Sequence, residues 1–189
     1  MSMTCTKIGI CGLSCRLCPR FYTEGESRCG GCKTESRISI GCPFITCALK
    51  KRGIEFCWQC GDAGSCEKWR HHREYGRRYD TFVCYRKLEE NIGFIRTNGV
   101  ELFDSVQEKR AGLLLEMLRG FNEGRSKSYY CIAATVLELD ELKNAVETAE
   151  KSSVGLDSKG KSRRLHAVLD AVAEKRGYSL RLRKYTAEA

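Results

Sequence analysis

Thirteen cysteines stand in 189 residues, and ten of them fall between residues 11 and 66. The ten are Cys11, Cys15, Cys18, Cys29, Cys32, Cys42, Cys47, Cys57, Cys60 and Cys66; Cys5, Cys84 and Cys131 are scattered. Three C-x2-C pairs occur, Cys15/Cys18, Cys29/Cys32 and Cys57/Cys60, and the wider Cys42-x4-Cys47 makes a fourth pair. The x2 spacing matters because a tight turn brings two sulfurs onto one ion at about 2.3 Å each. Gly30 and Gly31 relieve the backbone inside one such turn. Two pairs complete one tetrahedral all-cysteine sphere, so four pairs predict about two zinc ions. A fully cysteine-ligated zinc has no open position for water or substrate, so the metal is expected to be structural.

Sequential pairing would join Cys15, Cys18, Cys29 and Cys32, then Cys42, Cys47, Cys57 and Cys60. A crossed arrangement would join the first pair to the third. Cys11 and Cys66 lie outside the four pairs, and either can replace a member. Disulfides would need an oxidising compartment, and the opening MSMTCTKIGICGLSC has no apolar signal region. A thioredoxin-like C-x2-C needs a βαβ context that is missing. An iron–sulfur cluster is the rival cofactor. The spacing Cys11-x3-Cys15-x2-Cys18 resembles the three-cysteine signature of radical S-adenosylmethionine enzymes, but the chain that follows has no room for their large β/α barrel. The bacterial ferredoxin spacing is absent as well.

The elements that must position these thiols are read from periodicity. Apolar residues make up 42% of the chain, and without the cysteines the share falls to about a third. A thin core of this kind makes the cysteines framework or chemistry rather than filler. Beyond residue 66 the pattern turns helical. Residues 67–80 (EKWRHHREYGRRYD) read as a short helix or a linker, with Gly76 as a break. A helix is expected over 81–92. The best helix is 98–121, where Phe103, Val106, Leu113, Leu114, Met117, Leu118 and Phe121 form one stripe. Residues 128–137 read as a buried helix or strand, and 140–151 and 162–176 as amphipathic helices. Tyr178, Leu180 and Leu182 alternate with Ser179, Arg181 and Arg183, which predicts an edge strand over 178–184. Its partner would be 7–10, 54–58 or a second subunit. The expected class is α+β. A zinc module of loops and short hairpins spans 1–66, a charged connector and first helix 67–96, and a mainly helical part 97–189.

Other candidates for chemistry are few. His71 and His72 follow the cysteines closely; on a helix they point about 100° apart, so they would not share an ion. Either is placed to complete a site of three cysteines and one histidine, against the plainer reading of a solvated charged stretch. Lys159, Lys161, Arg163 and Arg164 gather at a helix start, where cations oppose the dipole and anions bind. They form a candidate anion contact, with a mobile basic loop as the plainer reading. No nucleotide-cradling glycine motif occurs. No Ser/His/Asp arrangement or catalytic carboxylate pair stands out, and no reaction is assigned.

The run C-G-L-S-C-R-L-C-P at 11–19, the C-G-G-C at 29–32 and the run from Cys42 to Lys68 carry a resemblance. They are similar to the uncharacterised cysteine-rich, zinc-ribbon-like family known as domain of unknown function 3795. The resemblance covers about residues 8–70 and rests on all ten clustered cysteines. It departs at Ser65, where the family often has proline before the last cysteine. It implies a zinc-ribbon-like module and no activity.

Net charge is +9, and two ions held by eight thiolates would lower it to about +5. Nine Lys/Arg against four Asp/Glu over 153–189 leave the tail basic. Mean hydropathy is −0.41, and no apolar run approaches the roughly 18 residues that span a bilayer. The expectation is a cytoplasmic zinc protein that engages another protein as an interaction or regulatory module. The alternatives are a nucleic-acid binder and an iron–sulfur redox or radical enzyme.

Overall fold

A computed structural model describes residues 5–40 and 42–185. The chain divides into two units, Met1–Gln107 with Arg183–Ala189, and Glu108–Leu182. Helices account for the architecture. They are α1 (Glu35–Ile40), α2 (Pro43–Ile45, continued as a π-helical turn over Thr46–Lys51), α3 (Glu67–Arg78), α4 (Leu88–Asn98), α5 (Val100–Gly120), α6 (Lys127–Val136), α7 (Leu139–Lys151) and α8 (Ser158–Lys175). Among the described residues no sheet forms, and an isolated antiparallel bridge pairs Ile8 with Ser14. The expected α+β class is therefore corrected to a largely helical one.

Local hydrogen bonding explains the correction. Two of the three C-x2-C segments close as 3-10 turns instead of hairpins, over Cys15–Leu17 and Cys57–Gln59. The Cys18 N–H donates to the Cys15 carbonyl at 3.1 Å, and the Cys60 N–H to the Cys57 carbonyl at 3.3 Å. Among the described residues, 178–184 forms no strand. Arg183 instead exchanges its backbone with one residue: its N–H donates to Asp80 Oδ2 at 2.9 Å, and its carbonyl accepts from the Asp80 N–H at 2.8 Å. Leu180 is buried, which accounts for the alternation that suggested a strand.

In the first unit the loops around the cysteines are held by three apolar clusters. Ile8, Phe56, Ile95 and Phe103 form one, with Trp58 stacked on Phe56 at 4.6 Å. Leu13, Trp69, Leu88 and Ile92 form the second, against which Cys11, Cys57 and Cys66 pack. Ile10, Ile45 and Ala48 form the third, beside Cys32, Cys42 and Cys57. Cysteines thus bridge clusters that are individually small. Gly76 does not break α3. A Cβ there would stand 3.2 Å from Tyr85 Cβ and 3.3 Å from Leu88 Cδ2, so the missing side chain lets α3 approach α4.

The second unit follows its periodicity closely. α6 is buried nearly all round, through Tyr130–Ala134 and Val136. α7 turns Leu142, Ala145, Val146 and Ala149 inward, and α8 turns Leu165, Leu169 and Ala173 inward. Arg110 donates to the carbonyls of Ala134 and Leu137, satisfying the C-terminal end of α6. Gly177 follows the end of α8 with φ of 69°, the left-handed cap that ends many helices.

Candidate functional site

Six of the ten clustered cysteines, Cys11, Cys15, Cys18, Cys29, Cys32 and Cys42, line one cavity of about 280 Å³ in the first unit. The turns carrying them are tight for a reason visible at two glycines. Gly31 has φ of 118°, and a Cβ on it would stand 3.2 Å from the Thr6 carbonyl oxygen and 3.6 Å from Cys15 Sγ. A Cβ on Gly9 would stand 3.6 Å from Cys11 Sγ and 3.7 Å from Cys32 Sγ. Both glycines leave room for sulfur where a side chain would otherwise be.

The thiols act on one another electrically. Cys15 and Cys32 form a tight pair in which the Cys32 S–H supports Cys15 as thiolate. The Cys32 backbone N–H donates to Cys15 Sγ at 3.4 Å, and Lys33 and Lys7 add positive charge. That holds Cys15 below the usual thiol range and Cys32 above it. Burial raises Cys18, with the charges of Cys15 and Cys29 adding to it. Burial likewise pushes Cys11 up to about 11, with Cys15 and Cys42 adding. Cys57 is pushed up to about 12 by burial first and then by Cys11, Cys47, Cys66 and Cys42. Cys18 thus feels Cys15 and Cys29, while Cys57 feels Cys11, Cys42, Cys47 and Cys66.

Cys47, Cys57, Cys60 and Cys66 lie outside the cavity lining. Cys47 is exposed, and Cys57, Cys60 and Cys66 are half-buried. Arg52, paired with Asp62 at 2.6 Å, acts on both Cys60 and Cys47. Cys5, Cys84 and Cys131 are buried. The sulfurs line their space without closing on a point. Among the described residues, no three His, Cys, Asp or Glu side chains are arranged to hold an ion.

The cavity wall also holds residues that the spacing of cysteines does not announce. Phe44 follows Cys42 closely in sequence, but Phe82 and Tyr85 come from the turn between α3 and α4. His72 lines the cavity from α3, and Ser14 lines it beside Cys15. Ser14 Oγ and His72 Nε2 are both buried without a hydrogen-bond partner. Behind the wall, Lys33 is buried with its ammonium 2.6 Å from Glu55 Oε1 and 2.8 Å from the Cys5 carbonyl. It also sits over the Phe56 ring at 4.1 Å. This fixes the residue next to Cys32 to the core.

The donor set suits a soft, thiophilic cation. The sulfurs are numerous and neutral oxygen ligands are few; Gly9 leaves a cradle between two of the sulfurs; and two polar atoms on the wall lack partners. The basic residues of the second unit are placed differently. Lys159, Lys161, Arg163 and Arg164 lie in the first turns of α8, with Lys159, Arg163 and Arg164 exposed. Asp157 caps that helix by accepting the Gly160 N–H at 2.7 Å.

Fold and site together define a largely helical chain with a cysteine-rich module, six of whose ten clustered thiols line one cavity. Residues 7–71 match the family described as Protein of unknown function (DUF3795). No curated protein and no solved structure matches the chain. No helix among the described residues is long and apolar enough to cross a membrane.

Proposed function

We propose that residues 7–71 form a thiolate metal-binding module in which zinc holds together loops that have little core of their own. The observation that carries this reading is the convergence of Cys11, Cys15, Cys18, Cys29, Cys32 and Cys42 on one cavity. Cys15, Cys18, Cys29 and Cys32 would hold one ion. Cys42, Cys47 and Cys57 would hold a second, with Cys66 or Cys60 completing it. The chemistry supplied is structural cross-linking. Thiolates buried against one another repel, and a divalent cation converts that repulsion into the main cohesion of the module. The chain would act by presenting this braced module to another protein, without turnover.

A second reading has its own support. Cys11, Cys15 and Cys18, the spacing that resembles an iron–sulfur signature, all line the cavity, and its volume exceeds what a lone ion needs. Metal analysis with an absorption spectrum on protein purified without oxygen separates the two. Zinc in a colourless sample supports the first. Iron with sulfide and a broad visible absorption replaces it with the second.

A further inference from the structure

We propose that His72 is a metal ligand, its Nε2 entering the thiol-lined cavity as the one nitrogen in a mixed sulfur–nitrogen sphere. The inference rests on the metal reading above and adds to it a donor outside the cysteine set. Three observations carry it. The first is placement, since His72 lines the same cavity as Cys11, Cys15, Cys32 and Cys42. The second is an unmet need, since its Nε2 is enclosed and has no hydrogen-bond partner. Buried polar atoms are nearly always paired, so an unpaired nitrogen on a residue that lines a cavity of soft donors calls for a partner.

The third observation is that the ring is held in a fixed attitude. It stacks on Trp69 at 5.7 Å with the planes 26° apart, and lies 4.9 Å from Phe44. The Tyr85 ring meets it edge-on at 5.3 Å and 89°. Trp69 precedes it by three residues on α3, so both face inward from one side of that helix. Three aromatic neighbours hold the imidazole plane as outer-shell partners hold the ligands of metal sites. His71, its neighbour in sequence, is absent from the cavity wall.

The test titrates metal-free full-length protein with cobalt(II) under reducing, oxygen-free conditions. The variant His72→Phe keeps an aromatic ring in the Trp69–Phe44–Tyr85 clamp, and far-UV circular dichroism confirms that it stays helical. The wild type is expected to show the intense d–d bands of tetrahedral cobalt. His72→Phe is expected to lose or shift the bands of one equivalent and to bind it about tenfold or more weakly. His72→Cys is expected to restore binding with stronger sulfur-to-cobalt charge transfer. If His72→Phe matches the wild type in bands and affinity, the inference is overturned while the metal reading stands. If the wild type takes up no cobalt, both are overturned. If His72→Phe loses its helicity, His72→Cys decides: wild-type bands without added charge transfer overturn the inference.

Discussion

The Arg183 guanidinium clasps Asp80 across more than a hundred residues of sequence. Its Nη2 lies 2.9 Å from Asp80 Oδ1 and its Nε 3.1 Å from Oδ2, while its Nη1 and Nη2 also donate to the Arg77 and Gly76 carbonyls. The carboxylate is fully enclosed and has Arg86 as a second cation at 3.7 Å. Burial alone would raise this carboxyl, but the side-chain and backbone hydrogen bonds from Arg183 outweigh it and hold it below the usual carboxylate range. The end of α3 and the C-terminal segment are thus one structure. Asp80→Ala should destabilise the first unit by about 3–5 kcal/mol, because two arginines lose their counter-charge. Arg183→Ala should cost less, since Arg86 remains. Chemical denaturation of the full chain checks the order of the two.

Lys33 and Glu55 make a second buried pair, with neither side chain more than 9% exposed. Lys33→Met takes the Lys33 ammonium away from the buried Glu55 carboxylate and should cost about 3–5 kcal/mol. The double variant Lys33→Met with Glu55→Gln should recover most of that loss, since the buried carboxylate charge is gone. Equal stability of the single and double variants would show that packing, not charge, sets the cost.

Gly31 tests the turn on which the cavity is built. Gly31→Ala places a Cβ 3.2 Å from the Thr6 carbonyl at a φ that side chains rarely adopt. The expected penalty is about 1–3 kcal/mol. Zinc retention measured by competition with a chelator should fall in the same variant, because Cys29 and Cys32 flank the glycine.

The second unit should respond to acid through one network. Ser126 Oγ lies 2.8 Å from His166 Nε2, the Tyr129 ring stacks on the imidazole at 3.9 Å, and Glu123 Oε2 accepts from Ser126 and Ser162 at 2.7 Å. Burial lowers His166 below its ordinary value, although Asp170 and Glu123 oppose the shift. Burial raises Glu123, but the hydrogen bonds from Ser162 and Ser126 outweigh it, leaving it at about 2. Both groups therefore bind protons more readily when unfolded. Their contribution is complete above about pH 6.5 for His166 and about pH 4.5 for Glu123, and is lost as pH falls. His166→Phe keeps the stack on Tyr129 and removes the imidazole titration. Its melting temperature should fall less steeply than the wild type's between pH 7 and pH 5; parallel profiles would contradict the assignment.

Much of the helical half is legible in the sequence. The stripe from Phe103 to Phe121 becomes α5, the apolar run around Tyr130 becomes α6, and Gly177 marks the end of α8. The ten clustered cysteines announce the module. Other features depend on partners distant in sequence. The helix expected over 81–92 begins only at Leu88, because the Tyr85 N–H is held by Asp80 Oδ1 at 2.7 Å. The strand expected over 178–184 is absent because its pattern reflects Leu180 in a core and Arg183 on Asp80. In the sequence, His72 reads more plainly as part of a solvated charged stretch. Only the arrival of Phe44 and Tyr85 around it makes it part of the cavity wall.

The most direct test of the metal-binding account is elemental analysis with a visible spectrum, on full-length protein purified without oxygen and then dialysed against a weak chelator. The account predicts about two zinc ions per chain, no colour, and a cooperative loss of structure over residues 7–71 when a strong chelator strips them. A protein that carries no stoichiometric metal, keeps its melting temperature under strong chelation and exposes all its non-buried thiols to reagent would contradict it.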